Sequence, residues 1–406
     1  MEFDNRLLFP NDVQFWFEIR RAFGAAAYGG SLFGEVMAVG SRIAEGDYDS
    51  WYAAWNAMAD RVAATGVKQR ERGRAISARD SLLRATTYYQ ASEFFLHGDP
   101  KDPRIGRAYR LSTQCYREAA PAFDPPIEPV EIPYEGTTLP GYFHRSGRPG
   151  RSPTIIMHSG FDGSAEEMHV GGARAAVERG YNALAFDGPG QYGPLHRQGL
   201  VLRPDWEKVV APVVDFALAR PEVDPARIAL MGVSLGGYLA PRAAAFEKRI
   251  AALIANDGLY DFGAVIRSRV PADQWDGFEA SLKADESPEI DAAMAARAKE
   301  SPTTRWSSAH GTWATGAKSP RKFLARTLDF TLANGIAEAI SCPTLVCEAE
   351  DDLFFQGQPQ MLYDHLTCPK TFLRFTNEEG AGDHCHVGAS RLAFAAMFDW
   401  LDEVLA

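Results

Sequence analysis

The sequence predicts an α/β protein: a mostly parallel, twisted sheet with helices on both faces, an N-terminal helical domain and a helical cap inserted late in the chain. Three observations predict it. Near residue 125 the apolar spacing changes from a helical period to an alternating one. Beyond that point short apolar runs alternate with helical stretches, the pattern of βαβ units joined by right-handed crossovers. One interval between such runs, 256–343, is far longer than a single crossover helix requires.

Residues 1–125 read as the helical domain. Ser50 is the expected cap of a helix in which Trp51, Trp55 and Met58 share one face. Tyr88, Tyr89, Phe94 and Phe95 mark a second aromatic helix that Gly98-Asp99-Pro100 ends. These aromatics need no role beyond a core. Phe123-Asp124-Pro125-Pro126 reads as a linker.

The sheet-bearing domain is expected over 126–262 and 341–406. It opens with a hairpin, Val130 to Tyr134, a turn at Glu135-Gly136, and Leu139 to His144. The next strands are Thr154 to Met157, Ala183 to Phe186, Ile228 to Met231, Leu253 to Ala255, Thr344 to Cys347 and Phe372 to Phe375. Residues 263–340, with Trp275, Phe278, Trp306, Trp313 and Phe323 among helical patterns, read as a cap over the carboxyl ends of the strands.

Composition narrows the function. A chain of 406 residues exceeds one ordinary core, and 46% hydrophobic with 23% charged residues excludes a disordered chain. A net charge of −11 without a Lys/Arg stripe argues against nucleic acid. Met1-Glu2-Phe3-Asp4 lacks the basic start of a secretory signal. No apolar run approaches the roughly 20 residues of a membrane span. The odd set Cys115, Cys342, Cys347, Cys368 and Cys385 has no zinc-site spacing and reads as reduced thiols. The expectation is a cytoplasmic protein acting on a small molecule, with no cofactor and no metal; a homodimer through the N-terminal or cap region is left open.

Gly232-Val233-Ser234-Leu235-Gly236-Gly237 follows one predicted strand and opens an Ala-rich helix, Tyr238 to Phe246. A strand-to-helix turn this tight needs glycine at its flanks and pushes the serine hydroxyl outward, as a nucleophile requires. The helix N-terminus beneath it favours a developing oxyanion. The competing reading is a structural Gly-Ser turn. A serine hydroxyl also needs a base, and the base an orienting acid, in the chain order Ser, Asp, His for this arrangement.

The strand ending at Cys347 runs into Glu348-Ala349-Glu350-Asp351-Asp352. Asp352 is the expected acid and Asp351 its competitor. His384, in the loop after Phe375, is the expected base, with His386 as rival. A metal held by Asp383, His384, Cys385 and His386 is disfavoured, because four consecutive residues rarely converge on one ion. The oxyanion hole needs two backbone N–H groups. One is expected from Leu235, the other from Phe161 in His158-Ser159-Gly160-Phe161-Asp162-Gly163, with Gly160 as alternative. Glu166 and Glu167 suit a helix start, although Glu167 is also a pocket candidate, as are Gly160, Tyr192 and Asp257; capping the next turn is an equal reading of Asp257. Phe186-Asp187-Gly188-Pro189-Gly190-Gln191 is expected to shape the pocket floor and pack loops.

Together these segments resemble a branch of the α/β-hydrolases. It holds 2,6-dihydroxypseudooxynicotine hydrolase, a C–C bond hydrolase, and related polyketide-trimming and esterase-like hydrolases. The motifs that carry the resemblance are Gly160 to Gly163 with Glu166-Glu167, Phe186 to Gln191, Gly232 to Gly237, Pro343 to Asp352 and Gly382 to Cys385. It covers about residues 128 to 405 and, more loosely, the helical N-terminal domain, which in this branch forms part of the substrate cover. It implies the α/β-hydrolase fold and a triad of Ser234, Asp352 and His384. Two departures bear on substrate: Tyr192 replaces a usual glycine, and His158-Ser159 replaces a more Gly-rich loop start. The implied reaction is hydrolysis of a C–C bond beside a carbonyl in a bulky diketone- or polyketide-like compound. An ester or amide hydrolase, an acyltransferase or cyclase, and a binding protein on an inactive hydrolase fold are the alternatives.

Overall fold

The computed structural model describes residues 7–406; the reading of Met1 to Asp4 lies outside them. The described residues form two compact units, 7–123 with 291–313, and 124–290 with 314–406. The break after Phe123 falls in the expected linker.

The first unit is helical. Its longer N-terminal helices are Val13–Gly24, Tyr48–Glu71, Ala75–Glu93 and Pro103–Ala119. Trp51, Trp55, Tyr88 and Tyr116 are fully buried, so the aromatic stripes are core. The cap of the helix Tyr48–Glu71 differs from the expectation. Asp47, not Ser50, accepts from the amides of Asp49 and Ser50, because a cap must precede the first helical residue. Ser50 instead hydrogen-bonds the backbone of Ala44. The stretch 263–340 divides between the units, since 291–313 clusters with the N-terminal helices. Its contacts explain why: the Trp306 ring stacks on Phe94 at 4.9 Å, and His310 Nδ1 lies 2.8 Å from His97 Nδ1.

The second unit is built on eight strands in the order β1-β2-β4-β3-β5-β6-β7-β8. These are β1 Glu128–Tyr134, β2 Thr137–His144, β3 Ser152–His158, β4 Asn182–Phe186, β5 Val223–Val233, β6 Ala252–Asn256, β7 Thr344–Ala349 and β8 Lys370–Phe375. All eight match runs expected from the sequence. β1 and β2 form the antiparallel hairpin, its turn residues Glu135 and Gly136 both at positive φ, the two-residue geometry that follows strand twist. From β4 to β8 neighbouring strands are parallel. β4 and β6 are buried along their whole length, as strands covered by helices on both faces must be. The sheet core runs through Ile156, Leu184, Leu230, Leu253 and Val346. Parallel alignment brings the carboxyl ends of β3, β5, β6 and β7 to one edge, where ligand-facing loops gather in such sheets.

Candidate active site

The turn after β5 carries Ser234. Its φ is +63°, a left-handed conformation that side-chain-bearing residues rarely adopt. The surrounding packing holds it there: the Ser234 amide donates to Asn256 O at 2.7 Å, and Gly237 N donates to Ser234 O at 2.7 Å. At Gly232 a Cβ would stand 2.0 Å from Gly236 O, so only glycine fits the crossing of strand and helix. The helix Gly236–Phe246 begins two residues before the expected start. Ser234 itself stays half-buried, with its hydroxyl turned toward the loop after β8.

That loop brings His384 over. Its Nε2 lies 2.8 Å from Ser234 Oγ, and its Nδ1 lies 2.8 Å from Asp352 Oδ2. Asp352, in the turn after β7, is fixed by its other oxygen, which accepts from the amides of Phe354 at 2.6 Å and Phe355 at 3.0 Å. The Phe354 and Phe355 rings meet the imidazole edge-on at 4.8 and 5.5 Å. Burial alone would lower the His384 pKa; the negative charge of Asp352, with the neighbouring Cys385 and hydrogen bonding to Asp257 and Asp352, outweighs it and holds it well above its ordinary 6.5. The neutral form that accepts a proton from Ser234 is therefore populated as pH rises through that raised value.

The two competitors stand elsewhere. Asp351 is exposed and accepts from Asn377 Nδ2 at 2.6 Å. Neutralising an exposed carboxylate of this kind costs little: Asp351→Asn is expected to change kcat by less than about twofold, a comparison that steady-state kinetics settles. His386 is fully buried, with Nδ1 on Ala381 O at 3.2 Å and its ring 4.1 Å from that of Phe375.

Asp257, which follows β6, sits closer to the chemistry than its sequence context suggests. It is fully buried, and its Oδ2 lies 3.0 Å from His384 Nδ1 while also accepting from the Cys385 amide. Burial would raise its pKa, but His386 and His384 draw it down to about 2. Donor atoms of Asp257, His384 and Cys385 fall within 4.8 Å of one another. Two members of the four-residue run considered for a metal thus meet a residue from another strand instead of each other alone.

The loop after β3 lies against the serine turn. A Cβ on Gly160 would stand 2.4 Å from Leu235 N, 2.7 Å from Gly236 N and 2.8 Å from Val233 O. The Phe161 ring stacks on Phe323 at 5.8 Å. Gln191 clamps this loop from behind: its Nε2 donates to Ser159 O at 2.6 Å and Gly160 O at 3.2 Å, and its Oε1 accepts from Gly188 N at 2.7 Å. The expectation for Phe186 to Gln191, shaping the pocket floor and packing loops, named no partner for Gln191. His158 is also a positioning group. Trp206 Nε1 donates to its Nε2 at 3.2 Å, its Nδ1 donates to Ser159 O at 2.8 Å, and burial lowers its pKa to about 4, so it stays neutral.

Of the remaining pocket candidates, Tyr192 is buried with its ring 4.7 Å from that of His196. Glu167 is half-buried, and its amide donates to Ser164 Oγ at 3.0 Å. Glu166 accepts from the Tyr142 hydroxyl at 2.7 Å.

Comparison with known proteins agrees with this architecture. The model of the alpha/beta hydrolase family matches residues 139–397. The chain is 34% identical to the hydrolase LUC6 of Fusarium sp, covering 98% of this chain and 97% of that one. It is 34% identical to the 20-hydroxy-prefusarin hydrolase FUS2 of Gibberella moniliformis, covering 98% of each. Among solved structures it is similar to 2,6-dihydroxy-pseudo-oxynicotine hydrolase, with a TM-score of 0.71 at 23% identity over 95% of this chain and 96% of that one. Among the described residues no helix is long and apolar enough to cross a membrane.

Proposed function

Because the chain belongs to the alpha/beta hydrolase family, we propose that it is a serine hydrolase in which Ser234 is the nucleophile, His384 the general base and Asp352 the orienting acid. The observation that carries this reading is the continuous chain of contacts Ser234 Oγ to His384 Nε2 and His384 Nδ1 to Asp352 Oδ2, each 2.8 Å long. It has the geometry that activates an otherwise un-ionised hydroxyl.

In the proposed cycle the Ser234 proton passes to His384 Nε2 as Oγ bonds to the substrate carbonyl carbon. The N–H groups of Leu235 and Phe161 hold the resulting oxyanion. The tetrahedral species collapses by breaking the bond to the leaving group, which takes the proton from His384. A C–C substrate releases a carbanion or enol, an ester an alcohol. Water, deprotonated by His384, then frees the acid from Ser234. His384 Nδ1 is occupied by the proton it shares with Asp352, so the reading gives Asp257 and Cys385 no metal to hold.

For substrate we propose a bulky compound cleaved at a C–C bond beside a carbonyl. The aromatic surround of Phe161, Phe323, Phe354 and Phe355 supports an apolar substrate body. So does similarity over the whole chain to a relative named as a hydrolase of 20-hydroxy-prefusarin. The test is turnover of a matched aryl ester and 1,3-diketone sharing one acyl group, followed in heavy-oxygen water. Diketone cleavage with label in the acid product is expected. Ester cleavage alone would make this a capped esterase, and an acyl group recovered on a second acceptor instead of as labelled acid would make it a transferase.

A further inference from the structure

We propose that Asp257 is a second orienting carboxylate for His384, sharing the Nδ1–H with Asp352, so that the base is positioned by acids from two adjacent strands. The inference rests on the Ser234–His384 reading above. β6 and β7 pair in register, Leu253 with Thr344 and Ala255 with Val346, so the loops leaving them emerge side by side. Asp352 comes from the β7 exit at 2.8 Å from Nδ1, Asp257 from the β6 exit at 3.0 Å. The hydrogen bond runs to Asp352, and Asp257 Oδ2 stands at ion-pair distance from the same nitrogen, near enough to share its proton.

Burial makes the arrangement informative. Asp257, Asp352 and His384 are 0%, 4% and 4% exposed. Two carboxylates this close in a dry site repel each other, and a positive charge between them removes the penalty. The imidazolium that forms as Ser234 loses its proton supplies that charge. Asp257 thereby favours the charged state of the base, which is the state of the transition state and the tetrahedral intermediate.

A purely structural role for Asp257, as a clamp on the loop, is the competing explanation. Its Oδ2 does accept from the Cys385 amide, where Cys385 and His386 are at φ +55° and +57°. A clamp alone, however, needs only an acceptor, which asparagine also offers. The other titratable groups around the cluster are Ser234, Cys385 and His386, with Cys347 and Glu348 of β7. Among them His386 Nε2 is 3.5 Å from Asp257 Oδ1.

The experiment compares wild type, Asp257→Asn, Asp352→Asn and the double variant by kcat, by the pH dependence of kcat/KM, and by fluorophosphonate labelling of Ser234. Neutralising a lone orienting acid costs about 10⁴-fold in kcat. With a second acid present, Asp352→Asn is expected to lose no more than about 10²-fold, and the double variant the full 10⁴-fold or so. Asp257→Asn removes one negative charge from beside the imidazole, so its acidic limb moves to lower pH and kcat above that limb falls by about tenfold, well short of the double variant.

A clamp role leaves the limb in place. Thermal melts report on folding; if Asp257→Asn does not fold, Asp352→Asn still decides. A roughly 10⁴-fold fall in Asp352→Asn, or an unmoved limb in a folded Asp257→Asn, overturns the inference. Absence of labelling in wild type overturns the Ser234 reading instead, and the two failures are distinguishable.

Discussion

Ser234→Ala is expected to lower kcat by about 10⁴-fold or more while the protein stays folded. Two features support the size of the effect. The hydroxyl is the only part of the residue in contact with His384 Nε2, at 2.8 Å, and the substitution removes nothing else. The left-handed backbone at position 234 is held by the hydrogen bonds that its amide donates to Asn256 O and its carbonyl accepts from Gly237 N, neither of which involves the side chain. Alanine meets the same backbone strain as serine. Active-site titration with a fluorophosphonate, read beside a thermal melt, separates chemistry from folding. Turnover within tenfold of wild type in a folded, unlabelled variant would show that Ser234 is not the nucleophile.

A single methyl group at Gly160 is expected to cost about 10²- to 10³-fold in kcat, the loss seen when one oxyanion donor is removed. The atoms a Cβ would meet, Leu235 N, Gly236 N and Val233 O, are all backbone. No side chain can swing away, so the loop after β3 must move off the serine turn and carry the Phe161 amide with it. Substrate binding away from the carbonyl is unaffected, so KM should change little while kcat falls. Equal falls in kcat for Gly160→Ala and for an exposed control such as Gly98→Ala, beside which a Cβ meets no atom within 4 Å, would remove the loop from the oxyanion hole.

What was legible in the sequence is what local chemistry writes there. The eight strands show because alternating or continuous apolar runs bounded by turn residues have few other meanings. The serine turn shows because its glycines are required by contacts within a few residues, as Gly232 against Gly236 illustrates. Asp352 was separable from Asp351 by position after the strand, and only Asp352 reaches His384.

What did not show depends on register between distant segments. Nothing near Asp257 states that β6 and β7 will align so that it meets Nδ1. Likewise nothing near Gln191 states that its amide will bridge to Ser159 and Gly160. Ser50 failed as a cap for a local reason: Asp47, an equally good capping type, stands three residues earlier. The helices around 291–313 carry the same apolar pattern whichever neighbour they cover, so pattern alone could not assign them to the N-terminal unit.

That last assignment sets the order in which the protein can be made. Most of the helical unit precedes the sheet in sequence, yet Trp306 and His310, which cover Phe94 and His97, leave the ribosome only after six of the eight strands. Until then the nascent N-terminal helices hold an aromatic face with no cover, and the sheet still lacks β7 and β8. The helical unit therefore waits on a segment that lies within the sequence of the sheet unit. The helical unit has its last segment once residue 313 has emerged, before β7 and β8, and a cut of the gene at the linker leaves residues 124–406 with every segment of the sheet unit while it strips the helical unit of 291–313.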